Sequence, residues 1–236
     1  MKQRISDIPP GTEERPIHQY KEKGSLIFLQ VNECVLNGQV VGLRAYDSMG
    51  NLIIETPLKH GKKHGREYTW NEAGILESIE PYVDGKLHGR ARQYGRDGKL
   101  IGTYRCIHGT GFDIWRSERE DGSIAISEIH SLRDGLPHGY EWWLGEDQHS
   151  VWHECHWQQG VLHGIERMWN SSGTLKRGYP KFWIHGQAVS KRVYLKAAER
   201  DKYLPIFRAE DNLSSRRFPA QIEKLLSGKR EVYVKG

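Results

Sequence analysis

The side chains most able to do chemistry lie together in residues 149–157, HSVWHECHW. Histidine, cysteine and glutamate are zinc ligands, and a carboxylate near a histidine can act in acid–base catalysis. The stretch His153-Glu154-Cys155-His156 lacks the i, i+4 histidine spacing of a zinc-protease helix. On a strand, alternate residues share a face, so His153 and Cys155 would point away from Glu154 and His156. Two ligands on one face do not close a zinc site, so the sequence predicts a half-buried aromatic strand, with a partner-contact patch as the alternative.

A second set of histidines recurs in the string Gly-x-x-His-Gly. A residue that recurs once per repeat is normally a turn or packing device, and its ring hydrogen-bonds to neighbouring backbone. We therefore expect a structural role for these histidines and glycines, although equivalent histidines of stacked repeats would also lie in a row that could hold a metal pair. The residues concerned are Gly61, His64, Gly65, Gly85, His88, Gly89, Gly135, His138, Gly139, Gly160, His163 and Gly164.

Other signatures of catalysis are missing from the sequence. There is no Gly-x-Ser-x-Gly, no phosphate-binding glycine loop that leads into a helix and no paired Cys/His signature. The sequence therefore predicts no enzyme, no catalytic residue, no metal and no cofactor. The sequence predicts a cytoplasmic protein. Its three cysteines are widely spaced and suggest no disulfide framework, its first residues lack the apolar core of a secretory signal, and no apolar run approaches the 18 residues of a membrane span.

The elements that position these residues are repeats. Leading glycines fall at positions 38, 61, 85, 109, 135, 160 and 186, and a second turn lies near the middle of each interval. These two turns divide each unit into two strands of a hairpin. The second strands are predicted to begin at Leu52, Leu76, Leu100, Ile124 and Val151, although the turn before Val151 lacks the usual glycine. A predicted core column lies three residues before each leading glycine, at Leu58, Tyr82, Cys106, Leu132, Trp157 and Trp183.

The flanks divide the chain into an N-terminal arm and capping strand (1–37), six repeats (38–186) and a basic helical cap (187–236). The cap carries six Lys and six Arg against six acidic residues, whereas residues 1–186 carry 23 basic and 24 acidic residues. One helix is predicted from Ser190 to about Lys202, with Val193, Tyr194 and Ala197 on its buried face. A second helix is predicted to start at Pro219 and to bury Ile222, Leu225 and Leu226.

The repeat resembles the prokaryotic variant of the MORN repeat, and in particular the YwqK-type antitoxins. The resemblance covers about residues 38–186 and is carried by Gly-x-x-His-Gly, an aromatic first strand, Gly-x-Leu and a second strand. It implies a mainly β fold, an elongated single-layer β-hairpin solenoid with a C-terminal helical cap. It also implies a bacterial immunity or antitoxin protein that neutralises a cognate toxin by stoichiometric binding.

A repeat surface of this kind predicts a protein partner, because repetition extends a surface without building a pocket. Anionic lipid at the basic cap is the alternative, and nucleic acid is disfavoured because no recognition module is present. Since the chain is not acidic, a bound toxin is expected to be acidic or recognised by shape rather than to be a basic nuclease. The predicted partner-binding residues are Trp115, Tyr140, Trp142, Trp143, His153, His156, Arg192, Arg216 and Arg217.

Overall fold

A computed structural model of the chain describes residues 5–21 and 28–227. It is mainly β, with 54% strand and 9% helix, so the predicted fold class is confirmed at this level. The chain divides into two compact units, Met1–Phe112 and Asp113–Gly236. Neighbouring strands within each unit pair antiparallel as hairpins.

The N-terminal unit is built from ten strands and the start of an eleventh. Its core contains Leu52, Tyr68, Trp70 and Ile79. The strands are β1 (Glu13–Lys21), β2 (Phe28–Leu36), β3 (Gln39–Tyr46), β4 (Leu52–Lys59), β5 (Lys62–Lys63), β6 (Gly65–Trp70), β7 (Leu76–Val83), β8 (Lys86–Leu87), β9 (Gly89–Tyr94), β10 (Leu100–Ile107) and β11 (Thr110–Glu118), the last of which runs into the second unit.

The C-terminal unit continues the hairpin pattern and then becomes helical. Its core contains Ile165, Phe182, Tyr194 and Leu204. This core joins the last hairpins to the first helix and to the loop after it. The elements are β12 (Ile124–Arg133), β13 (Leu136–Leu144), β14 (Val151–Gln158), β15 (Val161–Leu162), β16 (Gly164–Met168), β17 (Lys181–Ile184), β18 (Gln187–Val189), α1 (Lys191–Ala198), a short 3-10 turn (Glu210–Asn212) and α2 (Ala220–Leu226).

The leading glycines lie in two-residue hairpin turns. Each leading glycine and the residue before it both have positive φ, for example Asp84 (49°) and Gly85 (83°). Two consecutive positive φ angles are the signature of a type I′ turn, whose twist matches that of the flanking strands. This local geometry explains why glycine recurs with the period of the repeat.

The predicted starts of all five second strands are confirmed, at Leu52, Leu76, Leu100, Ile124 and Val151. The predicted core column is mostly wrong. Cys106 is fully buried, but the other five residues are only half-buried. Trp157 and Trp183 are covered only in part by their neighbours, and their indole N–H groups donate hydrogen bonds to Glu141 and Glu166.

The N-terminal arm is docked on the sheet of its own unit. Ile8 is 5% exposed and packs against Gly42, where an added Cβ would lie 2.2 Å from the Ile8 Cδ1. Asp7 accepts hydrogen bonds from Arg66 and from the Tyr68 hydroxyl. The Ser6 hydroxyl donates to the buried Glu55, with 2.6 Å between Oγ and Oε1. Residues 5–8 are therefore part of the folded unit.

The helical region confirms the predicted cap of α1 and corrects details of both helices. Ser190 caps α1 through a hydrogen bond from the Val193 N–H. Pro219 is the N-cap of α2 rather than its first residue, and α2 buries Ile222 but leaves Leu225 and Leu226 half-buried. However, α1 ends at Ala198 rather than near Lys202, and Val193 is 51% exposed while Tyr194 is buried. The helix packs through Tyr194 and Ala197, which turns Val193 towards solvent. In the described part of the chain, no helix is long and apolar enough to cross a bilayer.

Candidate functional site

The histidines of the repeated string bind backbone. The Nδ1 of His88 accepts a hydrogen bond from the backbone N–H of His108, and His163 Nδ1 accepts one from His185, both at 3.1 Å. His64 lies 3.5 Å from the Asp84 amide in the same arrangement. Each ring therefore contacts the positive-φ residue of the next hairpin turn. The glycines of the four strings all have positive φ, between 71° and 151°.

His138 departs from this arrangement. Its Nδ1 is buried and has no hydrogen-bond partner among the described residues, while its Nε2 lies 3.3 Å from Arg133 Nη1. Burial lowers the pKa of His138. A neutral ring is the form that this environment favours.

One cluster brings together three possible metal ligands, His163, His185 and Asp201, whose ligand atoms lie within 4.8 Å of one another. The hydrogen bonds of His163 argue against a metal there. Its Nδ1 accepts from backbone, so a neutral ring carries its proton on Nε2, which lies 3.1 Å from Asp201 Oδ2. A metal at Nε2 would have to displace this proton. The cluster is therefore a hydrogen-bonded link between the repeat and the residues that follow α1.

The glutamate of the HECH stretch lies in a buried ion network. Glu154 is 2% exposed, and its carboxylate accepts hydrogen bonds from Arg167 Nη1 (2.9 Å), Arg216 Nε (2.7 Å) and Trp142 Nε1 (2.9 Å). Arg167 is 1% exposed. Buried charges are tolerated when they are paired and hydrogen-bonded. Glu154 is thus an anchor for two arginines rather than an acid or base open to substrate.

Arg216 belongs to a segment that covers one face of the repeat. We call residues 204–222 the covering segment. It adds a short bridge beside β14, in which the Val151 N–H donates to Ser214 O and the Arg216 N–H donates to His149 O. Phe218 packs edge-on against Trp142, with 5.4 Å between ring centroids. The turn before Val151 differs from the other turns at the place where this segment pairs with it.

Residues His153, Glu154 and His156 do not converge. His153 pairs across the strands with Trp143 and lies 3.3 Å from Glu166, whereas Glu154 pairs with Trp142 under the covering segment. The His156 ring contacts the His163 carbonyl, with 2.7 Å between Nδ1 and O. The three side chains therefore have separate partners and do not form a common catalytic or metal-binding group.

An aromatic cluster lies on the face that carries His153. The rings of Trp143 and His153 stack with centroids 4.5 Å apart, and Trp152 lies 6.0 Å from each of them. Trp152 is 46% exposed. We call Trp143, Trp152 and His153 the aromatic surface. Trp152 is the exposed member of this cluster, and Trp143 and His153 are half-buried beside it.

Sequence reasoning missed a repeated acid on this face. Glu141 and Glu166 each stand two residues after the second glycine of the repeated string. Glu141 accepts a hydrogen bond from Trp157 Nε1 at 2.5 Å, and Glu166 accepts one from Trp183 Nε1 at 2.9 Å. The pattern Gly-x-Glu was visible in the sequence and would have identified both residues.

The predicted partner-binding residues occupy five different environments. Trp142 is buried, since it is 6% exposed and its indole N–H donates to Glu154. Tyr140, His156 and Arg216 lie beside the covering segment, and Arg216 is held by Glu154. Trp143 and His153 belong to the aromatic surface, Trp115 is half-buried on β11, and Arg192 and Arg217 are exposed.

The cysteine of the HECH stretch is an inert thiol. Cys155 is 3% exposed, and burial raises its pKa well above the usual value, with Glu141 adding to the shift. The thiolate is the reactive form of cysteine. Cys34 is also buried, and burial raises its pKa too.

No family model matches the chain, and no curated protein matches it.

Proposed function

We propose that this chain is a protein-binding module whose partner docks on the aromatic surface. The observation that carries the proposal is the stacked group of Trp143, Trp152 and His153, in which Trp152 is 46% exposed. Tryptophan is enriched among the residues that dominate binding energy, because it buries a large area with few rotatable bonds. On the other face of β13 and β14, the covering segment already occupies Trp142 and Glu154.

The charges around this surface suggest the chemistry of the partner. Glu128 lies 3.1 Å from His130, whose ring lies 5.9 Å from Trp143, and Glu166 lies 3.3 Å from His153. Glu128, whose side chain is 37% exposed, suits a partner that presents apolar groups together with Arg or Lys. The net charge of the whole chain, which favoured an acidic toxin, does not describe this local surface.

The MORN-like repeat supports a more specific proposal, that the chain is a bacterial immunity or antitoxin protein. It would neutralise a cognate toxin by forming a stoichiometric complex rather than by catalysis. The separation of His153, Glu154 and His156 and the high pKa of the Cys155 thiol support a binding role.

Co-expression tests this proposal. The product of the neighbouring gene is expected to be toxic alone, harmless with this chain and recoverable with it as a complex. Trp152→Ala is expected to abolish protection. Met49→Ala is the control, because Met49 is 73% exposed in the N-terminal unit, outside the aromatic surface. A harmless neighbour, or one that does not co-purify, would count against an antitoxin, and equal loss with both variants would count against the aromatic surface.

A second candidate is the binding of anionic lipid through the C-terminal region. Ile206 and Leu213 are 70% and 64% exposed, and the exposed Lys202 and Arg208 lie in the same stretch. Apolar side chains next to basic ones suit an anionic membrane surface. Sedimentation with phosphatidylserine vesicles at low and high salt tests this candidate. Binding that is lost at high salt supports it, and no binding at low salt removes it.

A further inference from the structure

The C-terminal unit contains a cavity that the proposed function does not use. It has a volume of about 310 Å³ and lies where β13 and β14 meet the residues after α1. Small-molecule sites begin near this size. The residues that matter for its chemistry are Tyr140, His156, Lys202, Tyr203, Arg208 and Asp211.

The histidine in the wall has a defined protonation state. His156 Nδ1 lies 2.7 Å from the carbonyl oxygen of His163, so Nδ1 carries a proton and donates it to that oxygen. In the neutral ring, Nε2 is then an acceptor. Burial lowers the pKa of His156, which is consistent with the neutral form. The ring of Tyr140 packs edge-on against His156, with 4.8 Å between centroids, and burial raises the pKa of Tyr140 to about 12, so its hydroxyl keeps its proton.

The position of His156 varies between the repeats. Four residues before the leading glycine stand, in turn, Pro57, Pro81, Arg105, Ser131, His156 and Phe182. Gly164 leaves room for the histidine, because an added Cβ would lie 2.7 Å from the Cβ and 2.9 Å from the Nδ1 of His156. In this repeat the position holds a ring that can hydrogen-bond, and it lies in the wall of the cavity.

The charges in and behind the wall are positive in sum. Lys202 and Arg208 line the cavity, and Arg167 and Arg216 lie behind Asp211. These four positive charges outnumber the two carboxylates of Glu154 and Asp211. The buried Arg167 Nη2 has no hydrogen-bond partner among the described residues and lies 4.0 Å from Asp211 Oδ2. In the lining itself, the two cations Lys202 and Arg208 stand against the single carboxylate of Asp211, and this excess of positive charge favours an anion.

We infer that this cavity binds a small aromatic anion, a planar ring that carries a phosphate or carboxylate group. Lys202 and Arg208 bind the anionic group, and the ring packs against Tyr140 and Tyr203. The Tyr140 hydroxyl and His156 Nε2 offer one donor and one acceptor for a polar substituent. This site is independent of the aromatic surface, since its residues are a different set.

Calorimetric titration of the full chain at low salt tests the inference. The probes are phenyl phosphate, benzoate, inorganic phosphate as the anion without a ring, and benzyl alcohol as the ring without a charge. We expect saturable one-site binding of phenyl phosphate or benzoate with a Kd of about 1 mM or tighter. The two probes that lack one feature are expected to bind at least tenfold more weakly.

Arg208→Ala is expected to weaken the binding of the better aromatic anion at least tenfold, because it removes one of the two cations that bind the anionic group. Since Arg208 is exposed, the substitution leaves the fold intact. Arg217→Ala, at an exposed arginine outside the cavity, is the matched control and should change the Kd by less than twofold. Three results would overturn the inference. The first is the absence of saturable heat at probe concentrations up to about 10-fold above that Kd. The others are inorganic phosphate that binds as tightly as the aromatic anions, and equal effects of the two substitutions.

Discussion

Arg216 and Arg217 are adjacent arginines with opposite surroundings, and the structure predicts very different costs for their removal. Arg216 donates to both oxygens of Glu154, at 2.7 and 3.2 Å, and to the carbonyls of Leu213, Ser215 and Asp211. Its guanidinium also lies 4.7 Å from the Trp169 ring centroid. Arg217 is exposed. The chain thus contains its own control.

The magnitude follows from what Arg216→Ala leaves behind. Removing one partner of a buried ion pair costs about 3–5 kcal/mol when the remaining charge is uncompensated. Here Glu154 keeps Arg167 and Trp142, so we expect a smaller loss of about 2–3 kcal/mol in the free energy of unfolding. For Arg217→Ala we expect a change within about 0.5 kcal/mol, as at other exposed sites. Arg216→Lys should fall between them, because lysine keeps the charge but not the paired hydrogen bonds.

Urea unfolding followed by tryptophan fluorescence measures these differences, and amide hydrogen exchange locates them. Arg216→Ala should increase exchange across residues 204–222 and in the turn before Val151, which the segment pairs with. If Arg216→Ala and Arg217→Ala destabilise the protein equally, the covering segment is not held by the Glu154 network and the explanation of the altered turn fails.

Two further predictions concern the arm and the buried histidines. Gly42→Ala should destabilise the N-terminal unit by about 1–2 kcal/mol in urea unfolding, because the new Cβ would lie 2.2 Å from the Ile8 Cδ1. In an Ile8→Ala background the same substitution should cost less, and an equal cost in both backgrounds would show that Ile8 is not the obstacle. Burial lowers the pKa of His156 and His163 in the folded protein, so the unfolded chain binds protons at a higher pH than the folded chain does. The free energy of unfolding should therefore fall as pH drops below about 6.5, the ordinary pKa of histidine. Urea midpoints between pH 7.5 and 5 should show this fall, and it should be smaller for His163→Gln, whereas an unchanged slope in that variant would contradict the assignment.

The sequence predicted what depends on local pattern. The starts of the second strands follow from a turn followed by alternating residues, so Leu52 and Val151 were placed correctly even though only the first follows a turn glycine. The altered turn before Val151 was also noticed, but its cause was not visible. It pairs with Ser214 and Arg216, which are more than 60 residues away along the chain.

Burial of individual aromatics could not be predicted in the same way. Trp142 and Trp143 are adjacent and lie on opposite faces of β13, and alternation alone does not say which face another segment will cover. The covering segment packs on the Trp142 side, so Trp142 is buried and Trp143 is half-buried. The partners of Glu154 illustrate the same limit, since Arg167 and Arg216 follow it by 13 and 62 residues.

Hydrogen–deuterium exchange of the chain with and without its protein partner tests the central proposal most directly. The proposal predicts that the partner slows exchange in peptides that cover Trp143 and residues 151–153, on the aromatic surface. Exchange in residues 204–222 should stay unchanged, because that segment is already docked on the other face. Protection confined to residues 204–222 or to the N-terminal unit would contradict the proposal.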